Sequence, residues 1–261
     1  MTLLSIVIVS FNARADLVNC LLSIRKHPPS MEHEIVVVDN ASADDSVAAA
    51  QRIPGVRVVP MGRNAGFSAA NNAGIAVSRG DLLLLLNNDT LVPPGALDRL
   101  IARLEATPSA AVAGPRLVNE QGEPELSFGR MISPLNELRQ KHRSAEWIAR
   151  ETAREQIVDW VSGACLLVRR RDAVRAGLLD ERFFLYTEDV DFCYALRRLG
   201  RKILFTPAAE ITHLRGRSRA SQPGASTAAY RRSHVAFYEK HHPLAAPLLK
   251  TYLRWKGQWP V

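Results

Sequence analysis

Arg79-Gly80-Asp81-Leu82-Leu83-Leu84-Leu85-Leu86-Asn87-Asn88-Asp89-Thr90 points to the fold class of this chain. Five consecutive leucines between polar residues are too few for a long helix and suit a strand buried on both faces of a parallel sheet. The strand runs directly into two amides and a carboxylate. In open α/β sheets ligands bind beyond the carboxyl ends of the strands, and a lone carboxylate there can hold a hard cation that bridges phosphate oxygens. Asn and Asp also favour strand-ending turns on their own account. Taken alone, the segment supports a cation site and a plain turn equally.

On the N-terminal side, strand and helix signals alternate. Leu3 to Val9 is an apolar, β-branched run, followed by a helical stretch from about Ala13 to Lys26. Glu34 to Val38 is the next strand, ending in Asp39-Asn40, and Ser42 is the expected N-cap of a helix through Arg52. Val56 to Pro60 is a third strand, and Ser68 to Ser78 is a helix leading into the leucine strand. This βαβαβαβ order predicts an α/β fold: a Rossmann-like, doubly wound, mostly parallel sheet with helices on both faces and right-handed crossovers.

On the C-terminal side, Pro93-Pro94-Gly95 opens a helix through Glu105, with proline in its first turn. Residues Asn119 to Asp159 are polar, proline-interrupted and weakly periodic, which predicts a long loop or lid with one helix and substrate contacts. Val158 to Val168 reads as a strand broken at Ser162-Gly163, and Asp172 to Ala176 as a short helix. Thr187 to Leu199 is a helix closed by Gly200, and Lys202 to Thr206 a late strand.

A chain of 261 residues, 47% hydrophobic and 23% charged, is an ordinary globular protein of one large domain or two close-packed halves. No apolar run approaches the roughly 20 residues of a membrane-spanning helix. The N-terminus lacks a basic region followed by a cleavable apolar stretch, so a cytoplasmic setting is expected. Cys20, Cys165 and Cys193 are far apart and form no CxxC, which fits reduced thiols better than a disulfide framework or a zinc site.

The net charge of +8 and pI near 9.8 call for an anionic partner. Zinc-finger spacing, an RNP-like motif and a recognition helix are all missing, so nucleic acid is not expected. Phosphorylated small molecules and acidic lipid headgroups remain. Much of the excess charge lies late, in Arg197-Arg198, Arg201-Lys202, Arg215, Arg217, Arg219 and the stretch from Arg231 to Lys256. That skew favours a membrane surface or an anionic acceptor. The tail from Tyr230 to Trp255 mixes these cations with aromatic and leucine residues, and fits either an anionic bilayer or packing against the domain or a second copy in a homodimer.

Four constellations carry chemistry. Ser10-Phe11-Asn12 and Asp39-Asn40 bring polar groups to neighbouring strand ends, where an acidic residue commonly accepts hydrogen bonds from a ribose or base. No GxGxxG follows the first strand, so a nucleotide without a redox cofactor is expected. Gly62-Arg63-Asn64-Ala65-Gly66-Phe67 precedes a helix whose amides and dipole suit phosphate. In Thr187-Glu188-Asp189-Val190-Asp191, Thr187 is the expected N-cap. Helical geometry puts Asp189 on the apolar face with Phe192, Cys193 and Leu196, with Glu188 at the edge of that face. A half-buried Asp189 suits a general base. Asp191 points the other way and reads as a solvated surface charge. Finally, His213 follows a late strand and heads the basic loop Arg215-Gly216-Arg217-Ser218, which suits a metal or diphosphate contact.

In order, Val9-Ser10-Phe11-Asn12, Val38-Asp39-Asn40-Ala41-Ser42, Asn64-Ala65-Gly66-Phe67, Asn87-Asn88-Asp89, Glu188-Asp189-Val190-Asp191 and His213 resemble a family 2 glycosyltransferase with the GT-A nucleotide-sugar fold, and its bacterial rhamnosyltransferase-like members in particular. Each motif is modest alone, and the ordered set over roughly residues 3 to 218 is specific. The resemblance implies inverting transfer from a nucleoside diphosphate sugar, with rhamnose from dTDP-rhamnose the expected donor. A glycan or lipid-linked acceptor of cell-envelope polysaccharide synthesis is the expected partner. It further implies that Ser10, Asn12, Asp39, Asn64, Gly66 and Asn88 bind the nucleotide and that Asp89 and His213 hold Mg²⁺ or Mn²⁺. Asp189 would be the base, with Glu188 the second catalytic carboxylate. Asn87 stands where the family's DxD motif has its first Asp, which leaves the metal to Asp89, the diphosphate, water and His213.

The expected division is a nucleotide-sugar-binding half over 1–112, an acceptor-binding and catalytic half over 113–218, and a basic amphipathic tail over 219–261. Two other readings stay open at the level of sequence. A sugar nucleotidyltransferase would need a glycine-rich basic signature after the first strand, and a non-catalytic nucleotide-sugar-binding scaffold would not need Asp89, Asp189 and His213.

Overall fold

Alternating apolar strands and amphipathic helices build a ten-stranded sheet with a separate two-stranded one in the computed structural model, which describes residues 2–138, 143–214 and 223–259. The first half follows the expected order: β1 (Leu4–Ser10), α1 (Arg14–Lys26), β2 (His33–Asp39), α2 (Ser46–Gln51), β3 (Val56–Pro60), α3 (Phe67–Val77) and β4 (Leu82–Asn87). Strands β3, β2, β1 and β4 lie side by side in that order and all parallel. The five leucines of β4 are each 0–3% exposed. Burying such a side chain contributes about 2 kcal/mol, and burial on both faces is why the run carries no polar alternation. α1 buries Leu17, Cys20, Leu21 and Ile24, one helical stripe, against the sheet. On the other face α3 lies so close to β1 and β2 that a Cβ at Gly74 would collide with Val7 and Val38.

The second half departs from a purely parallel pattern. After β5 (Thr90–Leu91) and α4 (Ala96–Glu105) comes β6 (Ala110–Val118), and then β7 (Pro124–Glu125) and β8 (Phe128–Gly129). Next are α5 (Pro134–Leu138), α6 (Ala145–Glu151), β9 (Gln156–Val158) and β10 (Trp160–Val161). The region expected to be a lid with one helix therefore holds short strands and two short helices. β11 (Cys165–Arg169) enters antiparallel between β4 and β6, while β12 (Lys202–His213) runs parallel to β6. The expected strand break at Ser162-Gly163 is the gap between β10 and β11. α7 (Arg170–Arg175), α8 (Glu188–Arg198), α9 (Pro223–His241) and α10 (Ala246–Trp255) complete the chain. Cys20, Cys165 and Cys193 are buried free thiols. No described helix is long and apolar enough to cross a membrane.

Local expectations fail at four points. Ser42 does not cap α2: its N–H donates to Asp39, and the helix starts later, after Asp45, with Asp44 accepting from the Ser46 N–H and hydroxyl. Pro93 and Pro94 precede α4 rather than occupying its first turn, which Gly95 opens with φ +67°. Thr187 sits at the start of α8 with a left-handed backbone, φ +69°, and makes no capping bond. The late strand continues past Thr206: a register shift between Thr206 and Glu210 absorbs Pro207 and lets β12 run on to His213.

Candidate active site

At the carboxyl ends of β1 and β2 the chain is tied together by its own polar side chains. Asn12 (φ +50°) accepts the Ala43 N–H on its side-chain oxygen, and its own N–H donates to the Ser42 hydroxyl. Asp39, 4% exposed, accepts the Ser42 N–H on both oxygens. Ser10 is buried beside it, and its hydroxyl has no partner among the described residues. Asn40 is the hub: its amide donates to the Asn64 side-chain oxygen at 2.8 Å and to the Gly66 carbonyl at 3.3 Å, while its oxygen accepts the Ala65 N–H. The residues expected to bind nucleotide from three separate loops are thus brought together, and Asn40 does the joining.

Gly66 has φ +87°, and a Cβ there would lie 2.6 Å from the Phe184 carbonyl oxygen. The Phe67 N–H donates to that same oxygen at 2.7 Å, the Ser68 hydroxyl donates to the Phe183 carbonyl at 2.7 Å, and Asn72 bonds both the carbonyl and the N–H of Leu179. The start of α3 therefore clamps the loop that delivers α8. In that loop Tyr186 and Thr187 are both left-handed, a strain on the order of 1 kcal/mol each for residues with a Cβ. Such strain persists only where surrounding bonds over-determine it.

The loop presents Glu188 and Asp189. Asp189 accepts the Gly163 N–H at 2.8 Å and the Val190 N–H at 2.8 Å, one on each carboxylate oxygen. Burial raises its pKa against those two bonds. Burial and the charge of Asp189 push the Glu188 carboxyl well above the ordinary range, and one of its oxygens has no partner among the described residues. Of the two, Glu188 is pushed up harder, while Asp189 has two N–H donors that favour its anion. Asp191 is not the solvated charge its helical position suggested. It is 2% exposed because α9 covers that face of α8, with Lys240 Nζ at 2.8 Å and His241 Nε2 at 2.6 Å from its carboxylate.

Gly163 also links this carboxylate to the leucine strand. Its neighbour Ala164 accepts the Asn87 N–H at 2.9 Å, so the end of β4 and the start of α8 converge. Asn88 and Asp89 are 9% and 8% exposed. β12 pairs antiparallel with β5 so that His213 lies opposite Thr90, and His213 Nε2 stands 3.3 Å from Asp89 Oδ1. On the other side, His213 Nδ1 is 3.3 Å from Glu125 Oε2. Burial opposes protonation of His213, yet hydrogen bonds and charges from Asp89 and Glu125 outweigh it and lift the imidazole to about 9.

Among the described residues no group of three or more His, Cys, Asp or Glu is arranged to hold a metal by itself. Asp89 and His213 bring a hard oxygen and an imidazole nitrogen within 3.3 Å of each other, donor types that Mn²⁺ or Mg²⁺ accepts when phosphate and water complete the set. A carboxylate behind a ligating imidazole, as Glu125 stands here, fixes its tautomer and orientation.

Sequence reasoning missed Asn40, Gly163 and Glu125 as site residues. Asn40 lay in a motif already singled out, and Gly163 in the noted strand break. Glu125 gave no signal, because the surrounding sequence has no clear period. The basic loop Arg215-Gly216-Arg217-Ser218 lies outside the described residues.

A family model described as "Glycosyl transferase family 2" matches residues 5–177. The N-acetylglucosaminyl-diphospho-decaprenol L-rhamnosyltransferase of Mycobacterium tuberculosis is 32% identical over 230 residues, covering 80% of this chain and 75% of that protein. The low-salt glycan biosynthesis hexosyltransferase Agl10 of Haloferax volcanii is 29% identical over 206 residues, covering 75% and 62%. In fold the chain is like the mannosyltransferase PcManGT from Pyrobaculum calidifontis, solved with GDP-Man and Mn²⁺, with a TM-score of 0.64 at 17% identity over 94% of this chain and 67% of that one. The chain belongs to glycosyltransferase family 2 and is a glycosyltransferase of the GT-A fold.

Proposed function

We propose that this glycosyltransferase moves rhamnose from dTDP-rhamnose to a hydroxyl of a lipid-linked glycan acceptor, with inversion, in the synthesis of a cell-envelope polysaccharide. The observation that carries this reading is the buried Asp189 carboxylate, fixed by two N–H groups and joined through Gly163 and Ala164 to the Asp89 end of β4. The mycobacterial relative, named for a decaprenyl diphosphate-linked acceptor, supports the lipid-linked class and the sugar. The haloarchaeal relative supports glycan biosynthesis.

In this reading residues 1–112 bind the donor, with Asp39, Ser10 and Asn12 at the nucleobase and ribose and Asn64, Gly66 and Asn88 near the diphosphate. Residues 113–218 hold the acceptor and the base. Asp189 takes the proton of the acceptor hydroxyl, whose oxygen attacks the anomeric carbon as its bond to the diphosphate breaks on the opposite face. Protonated Glu188 keeps a second negative charge away from Asp189. Asp89 and His213 would hold Mn²⁺ or Mg²⁺, which when bound neutralises charge on the departing diphosphate. The Mn²⁺ in the PcManGT structure supports that cofactor. The enzyme would work at the cytoplasmic face of the membrane that carries its acceptor.

A panel of dTDP-, UDP- and GDP-sugars, with and without Mn²⁺, tests the reading by thermal shift and by nucleotide release onto a polyprenyl-diphosphate-linked sugar. Selective stabilisation and turnover with dTDP-rhamnose are expected. Turnover with another donor alone refutes the sugar, and turnover undiminished by chelation refutes the metal.

A further inference from the structure

The C-terminal hairpin α9–α10 has two faces of different character. Its inner face is core: Val235, Phe237 and Tyr238 of α9 and Ala246 and Leu253 of α10 are buried, and the Ser233 hydroxyl donates to the Leu185 carbonyl in the loop that delivers the catalytic carboxylates. Its outer face is apolar and bare. Leu248, Tyr252 and Trp255 follow at helical i, i+4, i+7 spacing, with Leu244 just before the helix. Leu244, Trp255 and Leu248 are 94%, 77% and 74% exposed, the three most exposed large apolar side chains among the described residues. Exposure of that size, gathered along one stripe, is unlike the scattered single residues of a normal surface.

The charge carried by this last part of the chain, with Arg254 and Lys256 beside the stripe, says what covers it. Nine of the 34 Lys and Arg but only one of the 26 Asp and Glu follow Glu210, so the whole net charge of +8 lies in that last part of the chain. The single acid, Glu239, is 2.5 Å from Lys250. Arg254 and Lys256 stand at the rim of the stripe, over the rings of Trp259 and Trp255 at 4.5 and 4.8 Å. A second copy docked on the same face would bring cations against cations. An anionic bilayer supplies the opposite charge together with an apolar layer, and Trp, Tyr and cationic side chains are the residues that settle at such an interface.

The stripe is also aimed. Arg231 Nη2 donates to Gln258 Oε1 at 2.8 Å, which brings the Trp255 end of α10 beside the middle of α9. There the Tyr230 ring stands edge-on to Tyr186, 6.1 Å between centroids, two residues before Glu188.

We propose that the outer face of α10, formed by Leu244, Leu248, Tyr252 and Trp255 with Arg254 and Lys256 at its rim, is a membrane-docking surface for anionic phospholipid that seats the catalytic loop at the bilayer. The proposal rests on the lipid-linked acceptor of the proposed function, and binding measured without donor or acceptor separates the two.

Full-length protein is sedimented with vesicles of phosphatidylcholine alone or enriched in phosphatidylglycerol. The wild type should bind the anionic vesicles and not the neutral ones, and should be released by salt. The exposed double variants Leu248→Glu/Trp255→Glu and Arg254→Glu/Lys256→Glu should each weaken that binding about ten-fold or more while melting like the wild type. Wild-type protein that stays in the supernatant overturns the proposal, as do variants that bind like wild type. A concentration-dependent dimer that the same variants disperse also overturns it, because the occupant is then a second copy.

Discussion

His213 and Asp89 are distant in sequence and meet with Nε2 3.3 Å from Oδ1, because β12 pairs with β5 in the register that sets His213 against Thr90. Behind the imidazole, Glu125 holds Nδ1. If this carboxylate orients a metal ligand, Glu125→Gln should weaken Mn²⁺ binding in the presence of a nucleoside diphosphate by about 10- to 100-fold. Electron paramagnetic resonance of free Mn²⁺ measures this directly. Nucleotide affinity without metal should stay as it was, which distinguishes orientation of the ligand from general damage.

Asp189 and Glu188 should separate cleanly on mutation. Asp189→Asn is expected to lower kcat by at least about 10²-fold, the typical contribution of a positioned general base, while the thermal shift given by nucleotide is kept. Glu188→Gln, which copies the protonated form, should be much milder. Equal losses in the two variants would refute the division of roles.

The same pair sets a pH dependence. Because burial raises the Asp189 pKa above the 3.8 of an ordinary aspartate, the base is protonated and inactive over a wider acidic range. Transfer should therefore rise with pH through that raised pKa, and the acidic limb of the kcat/KM profile should lie above the ordinary aspartate value. A limb at or below that value would contradict the buried base.

Gly66 combines φ +87° and ψ 172° with a Cβ position 2.6 Å from the Phe184 carbonyl oxygen. Gly66→Ala should cost about 1–3 kcal/mol through backbone strain alone, with the clash displacing the loop that carries Asp189. A melting point lowered by several degrees together with weakened donor binding is the expected result, read by thermal denaturation with and without nucleotide.

Asp191 is buried and paired with Lys240 and His241. Lys240→Met leaves that carboxylate short of a partner and should destabilise the fold by about 3 kcal/mol, as measured by urea denaturation. The paired change Lys240→Met/Asp191→Leu should recover much of that loss. Failure of the double variant to recover any stability would show that Asp191 is held by something other than charge pairing.

The parallel half of the sheet is legible in the residues alone, because burial on two faces writes itself into short runs such as Ile6 to Ile8 and Leu82 to Leu86. So are the strand-end polar residues, since loops beyond a sheet need turn chemistry that shows in a few adjacent positions. The remainder depends on long-range pairing. His213 reaches Asp89 through a register shift at Thr206 to Glu210 that no local pattern announces. Glu125 arrives from an irregular segment, and Asp191 is buried by a helix from the far end of the chain. Local periodicity reports which side of an element is apolar. Which other element arrives to cover the remaining side, and in what register, depends on contacts between residues distant in sequence, and those decided where each charge found its partner.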